Sequence, residues 1–208
     1  MATFRLPRPS YHPPILIGLY SPKPQQGKTT AAHLLLTELQ ASRIGSDEPH
    51  LLSFAAPLKL AAAAVLEAWG LSDVAATRAI FDTKDSPIAQ LGGLTGRAVL
   101  ASFGPWAREA AGADIWVRRA FAKIRPLLRK GVSVVIDDVR FENEAQAIRD
   151  AGGCIVRVTK DSAAADTKHA QMPTEARLEA LEFSAILHNT GTLGTLRQDI
   201  KELVRGIR

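Results

Sequence analysis

The sequence predicts an α/β protein in which a parallel sheet is covered by helices on both faces. Two observations carry this. Short apolar runs alternate along the chain with stretches of helical period, which is the pattern of βαβ units. The runs Ile15–Leu19 and Val132–Ile136 are apolar almost without interruption, as strands buried on both faces must be.

Each element follows in order. Residues 1–14 hold Pro7, Pro9, Pro13 and Pro14 and are expected to form an irregular arm. From residue 15 to 208 the chain reads as one domain. After the strand Ile15–Leu19 comes a polar, proline-bearing turn. A helix over 28–39 follows, where Ala31, Ala32, Leu34, Leu35 and Leu39 recur at helical spacing. Leu51–Phe54 is the second strand. Pro57 opens an alanine-rich helix that reaches Trp69 and stops at Gly70. Residues 71–113 read as an inserted, mostly helical region, with turns at Ser86-Pro87 and Gly92-Gly93, able to cover a substrate. A helix over 114–130 closes at Gly131, and Val132–Ile136 is the clearest strand. A helix over 143–151, closed by Gly152-Gly153, leads to a strand at 155–158. The polar stretch 159–173 lacks any period and is a candidate lid loop. A helix over 175–183, a strand at 185–188 and a helix over 193–207 complete the chain. Trp69, Trp106 and Trp116 are expected as core anchors.

Composition excludes several classes. The chain has 208 residues, 46% of them hydrophobic, enough for one domain with a real core. No apolar run approaches the roughly 20 residues that span a bilayer, and residues 1–14 lack the apolar centre of a secretory signal. The single cysteine, Cys154, excludes an intramolecular disulfide and a thiolate metal cluster, and it reads as a small buried strand residue. The expected location is the cytoplasm, without a membrane partner. A net charge of +5 favours anionic ligands. Its cations are scattered, as in Arg118-Arg119 and Arg129-Lys130, so a phosphate pocket and a nucleic-acid surface explain it equally well.

The chemistry centres on Ser21-Pro22-Lys23-Pro24-Gln25-Gln26-Gly27-Lys28-Thr29-Thr30. Gly27-Lys28-Thr29 matches the end of the phosphate-binding loop pattern, between a strand and a helix as that motif requires. The main chain from Gln25 through Gln26, Gly27 and Lys28 to Thr29, with Thr30 beside it, can cradle a polyphosphate at a helix N-terminus. Lys28 can reach the outer phosphates of ATP, and the Thr29 hydroxyl can hold Mg²⁺. The pattern's first glycine falls at Pro22, which fixes φ and donates no N–H, so the loop must enter by another path. A bare Gly-Lys-Thr is also compatible with an ordinary strand–turn–helix corner. The fold class sharpens to a P-loop sheet with an inserted helical substrate-covering region.

The second element is Val134-Val135-Ile136-Asp137-Asp138-Val139-Arg140-Phe141. An apolar strand ending in carboxylates puts acids at the carboxyl edge of a parallel sheet, where open α/β proteins bind ligands. Asp137 and Asp138 have equal standing here, for the metal, through water, or for a proton from the attacking group. Either could instead cap the following helix.

Ordered blocks then resemble the phage deoxynucleoside monophosphate kinase family. They are Phe54–Lys59, Leu91–Arg97, Phe103–Arg108, Asp114–Val117, Asp138-Val139-Arg140-Phe141-Glu142-Asn143-Glu144-Ala145 and Ile186–Leu193, and together they cover nearly the whole chain. The resemblance implies transfer of phosphate from ATP to a deoxynucleoside monophosphate in the cytoplasm of an infected host. It implies that Lys28 and Thr29 serve ATP and Mg²⁺. It selects Asp138 over Asp137, and sets Asp138 and Arg140 at the acceptor monophosphate with Lys59, Arg97 and Arg108 as helpers. It places Asn189 and Thr190 near the donor base, and Arg157 and Lys160 ahead of the lid. Lys160 stands where the family has an arginine, and a lysine cannot grip phosphate bidentately. His169-Ala170-Gln171-Met172 departs from the family's His-x-Ser-Glu, which leaves His169 as a solvated loop residue.

Blander readings stand beside these. Lys59 suits a solvated helix face, Arg97 and Arg108 suit surface ion pairs, and Asn189 suits a simple turn. Two other functions fit the same motifs. One is a kinase acting on a modified base within DNA, which the basic charge and basic arm would suit. The other is a nucleotide-binding module that does not catalyse, for which Pro22 is the reason. The base accepted and the oligomeric state, a homodimer included, are left open.

Overall fold

The computed structural model describes residues 12–45, 47–160 and 182–207. The chain divides into two units, one made of Met1–Leu52 with Ile124–Arg208, the other of Ser53–Lys123. In chain order the elements begin with β1 (Leu16–Tyr20), α1 (Lys28–Ala41), β2 (His50–Leu52), α2 (Ala56–Ala68), α3 (Asp73–Phe81), β3 (Pro87–Ile88) and β4 (Leu94–Thr95). They continue with α4 (Gly96–Ala111), α5 (Ile115–Arg129), β5 (Val134–Val139), α6 (Glu142–Asp150), β6 (Cys154–Thr159), β7 (Ala185–His188) and α7 (Leu193–Gly206).

The first unit holds a five-stranded sheet in the order β2-β5-β1-β6-β7, with every neighbouring pair parallel. All five residues of β1 are buried, because helices cover both faces. On one face Ile17, Leu19, Val135, Val156, Val158 and Leu187 pack with Ala31, Leu35 and Leu39 of α1 and Leu196, Ile200 and Val204 of α7. On the other, α6 approaches so closely that a Cβ on Gly18 would lie 2.5 Å from Ile148 Cδ1 and 2.9 Å from Val139 Cγ2. Only glycine fits there. Ser133, fully buried, ties the opposite edge: its hydroxyl accepts the Ile15 N–H at 3.1 Å and donates to the Ile44 carbonyl at 3.2 Å.

Of the boundaries that differ from expectation, three have a visible cause or consequence. The Val132 N–H returns to the Leu127 carbonyl at 2.9 Å, so Val132 closes α5 in a Schellman-type turn instead of opening β5. As a result β5 starts later and runs on through Asp137 and Asp138. The expected strand at 51–54 ends at Leu52, because the chain turns at Ser53 to start α2, whose Pro57 sits in the first turn.

In the second unit, Ala62, Leu66, Ala76, Ala79, Ile80, Ile88 and Val99 form an apolar cluster. The expected turns of this region enclose an antiparallel ribbon of two short strands, with Pro87 opposite Thr95 and Ile88 opposite Leu94. The Thr95 hydroxyl then caps α4 by accepting the Ala98 N–H at 3.2 Å. Trp116 is a core residue whose indole donates to the Gly104 carbonyl at 3.4 Å. Trp69 and Trp106 are not core anchors: they are 55% and 60% exposed. Among the described residues no helix is long and apolar enough to cross a membrane. The arm as far as residue 11, the stretch 161–173 with His169, and residues 175–181 of the helix expected over 175–183 lie outside the described residues, while 182 and 183 are not helical.

Candidate active site at the carboxyl edge of the sheet

Parallel strands end on one edge, so the corners that follow β1, β5, β6 and β7 all open on the same side of the sheet. The corner after β1 is the expected phosphate loop. Gly27 is the N-cap of α1, in the left-handed region at φ 88° and ψ 20°; no side chain caps the helix and no acid lies in its first turn. The positive end of its dipole therefore meets no side-chain cap and no carboxylate of its own first turn. Lys28 is half-buried, whereas Thr29 and Thr30 are exposed. Gln25 also takes a positive φ, 60°. Where Pro22 replaces the pattern's glycine, the Ser21 hydroxyl donates to the Lys23 carbonyl at 2.7 Å, a short side-chain turn that redirects the chain.

The corner after β5 brings the acids. Gly18 pairs with Ile136 and Tyr20 with Val139, with an irregularity between them. Asp137 and Asp138 thus share the single step opposite Leu19, a β-bulge of the kind that re-aims side chains at sheet edges. Both carboxylates are half-buried, and Arg140, the next residue but one, is exposed. The chain then turns into α6 around a buried carboxylate. Glu144, 3% exposed, accepts the Arg140 N–H at 2.8 Å and the Phe141 N–H at 3.1 Å, while the Phe141 carbonyl accepts the Glu144 and Ala145 amides. Glu144 therefore fixes the turn that carries Arg140. Sequence reading did not single it out. Its signal was present, since a Glu three residues into a helix that follows a strand is half of a capping box.

The corners after β6 and β7 meet the phosphate loop. The Asn189 side chain donates to the Gln26 carbonyl at 3.1 Å, and the Asn189 N–H donates to the Thr159 carbonyl at 2.7 Å. The Lys160 N–H donates to Gln26 Oε1. Thr190 is exposed beside Asn189. Arg157 pairs in register with Tyr20, on the face away from α1, and its guanidinium lies 5.7 Å from the ring centre of Phe183, which stacks on Tyr20 at 5.4 Å.

The remaining expected residues belong to the second unit. Lys59 Nζ lies 5.5 Å from the centre of the Phe81 ring. Arg97 makes a two-pronged contact with Asp85 in which both side chains are exposed. That hydrogen bond holds the Asp85 carboxyl below its ordinary pKa and raises that of Arg97. Arg108 is half-buried on α4. Away from these groups, burial pushes the Cys154 thiol up to about 11.

Hydroxyl and carboxylate oxygens, from Thr29 and from the half-buried pair at the bulge, are the donors that Mg²⁺ prefers. Among the described residues no group of three or more His, Cys, Asp or Glu could hold an ion unaided.

No family model matches the chain. A protein of Acanthamoeba polyphaga mimivirus named "Putative deoxynucleotide monophosphate kinase" is 31% identical over 202 residues, covering 86% of this chain and 90% of that one. Among solved structures, dephospho-CoA kinase from Campylobacter jejuni is 10% identical, with a TM-score of 0.45 over 92% of this chain and 96% of its own. The crystal structure of APE1195 is 17% identical, with a TM-score of 0.43 over 95% and 98%.

Proposed function

The chain belongs to the deoxynucleotide monophosphate kinase family, and on that premise we propose that it transfers the γ-phosphate of ATP to a deoxynucleoside monophosphate. The observation that carries this reading is the uncapped start of α1 behind Gly27. It lies on the same sheet edge as the Asp137-Asp138 bulge and the Arg140 turn.

The chemistry is in-line displacement. An acceptor phosphate oxygen forms a bond to Pγ as the bond from Pγ to the β,γ-bridging oxygen breaks, which leaves ADP and a deoxynucleoside diphosphate. The protein's part is positioning and charge neutralisation. The amides of Gln25 to Thr30 hold the triphosphate, and Lys28 follows the γ-phosphoryl as it moves. Arg140 holds the acceptor phosphate, and Asp138 orients it or accepts a proton from it. Thr29 and Asp138, with Asp137 as a further candidate through water, would hold Mg²⁺, which would supply neutralisation of phosphate charge. Asn189, Thr190 and Arg157 lie on the donor side; Lys59, Arg97 and Arg108 serve the acceptor. To do so, Arg97 must exchange Asp85 for phosphate.

ADP release, measured with each of the four deoxynucleoside monophosphates and separately with duplex DNA, tests this. Release that depends on at least one monomeric acceptor is expected. Labelled phosphate passing only to DNA, in a salt-sensitive manner, would move the acceptor to the polymer. Nucleotide binding with no acceptor-dependent release would leave a non-catalytic binding module.

A further inference from the structure

Two positions leave the phosphate loop short of its usual means of holding shape. Pro22 removes a flexible glycine and an N–H from its entry, and Gln25 takes a positive φ of 60° without being glycine. A loop of this kind must be held from outside if its amides are to point at a ligand.

Two contacts from distant segments converge on Gln26, one on its carbonyl in the peptide to Gly27 and one on its side chain. The Asn189 side-chain amide donates to the Gln26 carbonyl at 3.1 Å, across 163 positions of sequence. The Gln26 side chain accepts the Lys160 N–H. Asn189 is itself fixed, since its own N–H donates to the Thr159 carbonyl at 2.7 Å. Contact with Gly27 is so close that a Cβ there would lie 2.3 Å from Asn189 Nδ2. A trans peptide is planar, and its C=O and N–H point in opposite directions; the described backbone has no cis peptide. Pinning the Gln26 carbonyl therefore also aims the Gly27 N–H, one of the amides expected to meet the triphosphate.

We propose that Asn189 is a positioning residue of the phosphate loop, acting on the donor's phosphates through the Gln26–Gly27 peptide and not by reading the donor base. This rests on the reading of residues 21–30 as the ATP phosphate site and deepens it. The tether also joins the loop to the end of β6, because Asn189 and Gln26 are bonded to the adjacent backbone groups of Thr159 and Lys160.

The test separates phosphate from base. Asn189→Asp keeps the shape, but its carboxylate cannot donate to a carbonyl; Asn189→Ala removes the side chain. Binding of Mg·ATP, Mg·GTP and inorganic tripolyphosphate, which has no base, is measured by calorimetry on wild type and both variants, with a melting curve for each. About tenfold weaker binding of all three ligands is expected, by one common factor, as loss of a single well-made hydrogen bond implies. In steady-state transfer the KM for ATP rises while the KM for the acceptor stays. Unchanged tripolyphosphate binding alongside weakened ATP, or an altered preference between ATP and GTP, overturns the proposal and returns Asn189 to the base. Should Asn189→Ala melt early, Gln26→Ala, which cuts the Lys160 link and leaves the carbonyl in place, must weaken tripolyphosphate less than Asn189→Asp does. A larger effect would equally overturn the proposal. A wild type that binds none of the three ligands refutes the phosphate-site reading itself. One that binds them but transfers nothing refutes only the kinase reading.

Discussion

Two corners of the same sheet begin their helices in opposite ways. After β1, α1 starts behind Gly27 with no side-chain cap and no acid in its first turn. After β5, α6 starts with Glu142 and Glu144 in its first turn, and the buried Glu144 carboxylate already occupies the Arg140 and Phe141 amides. Any helix start has N–H groups that lack i−4 partners within the helix, and the same positive dipole end. At α1 no side chain caps the start, whereas at α6 the Glu144 side chain turns back on the two preceding amides and so fixes the backbone that carries an arginine. A helix start can bind an anion or hold a rigid turn; on the proposed function the start of α1 does the first and that of α6 the second.

Several changes would break or sharpen that contrast. The largest effect belongs to Lys28→Ala, at the open corner. Transfer should fall on the order of a thousandfold, as when a preorganised charge is removed from a transition state, with little movement of the melting curve. Most activity retained would mean that the corner does not hold the donor. Glu144→Ala, at the closed corner, should do the reverse to stability. Two part-buried amides lose their acceptor at a cost of about 1–3 kcal/mol, which lowers the melting temperature by several degrees. Glu144→Gln, which keeps one acceptor oxygen, should recover part of it. If Glu144→Ala melts like wild type, the turn is held by other means.

Other changes should have smaller effects. Arg97→Ala should raise the KM for the acceptor severalfold and leave the melting point alone, because an exposed pair contributes little to stability. An unchanged KM would reduce Arg97 to its partnership with Asp85. Any stability from that pair is present above the ordinary carboxylate pKa and fades as pH falls through the lower folded value, since Arg97 depresses Asp85. The smallest effect concerns Cys154. Between the ordinary 9.0 and about 11 the unfolded chain releases the thiol proton while the fold retains it. Urea midpoints should therefore fall as pH climbs through that window, and more steeply than in Cys154→Ala. Equal slopes would mean the thiol is not buried.

Much of this was legible in the sequence. The alternation of apolar runs with helical periods located every strand of the large sheet to within a few residues, and Gly27-Lys28-Thr29 marked the open corner. What escaped depends on contacts between distant segments. The ribbon of β3 and β4 has two residues per strand, too few to show a period. The bulge at Asp137-Asp138 is a property of register between β1 and β5, invisible in either strand alone. The bond from Asn189 to Gln26 spans 163 positions. The tryptophans misled for another reason: size and apolarity permit burial without requiring it, and Trp69 and Trp106 stay exposed.

The most direct measurement is an amide spectrum of ¹⁵N-labelled protein titrated with Mg·tripolyphosphate. The N–H groups of Gly27, Lys28, Thr29 and Thr30 should move together and saturate, with Lys28→Ala weakening the response. If the ligand leaves those four signals in place, or binds equally well without Lys28, the open corner is not a phosphate site.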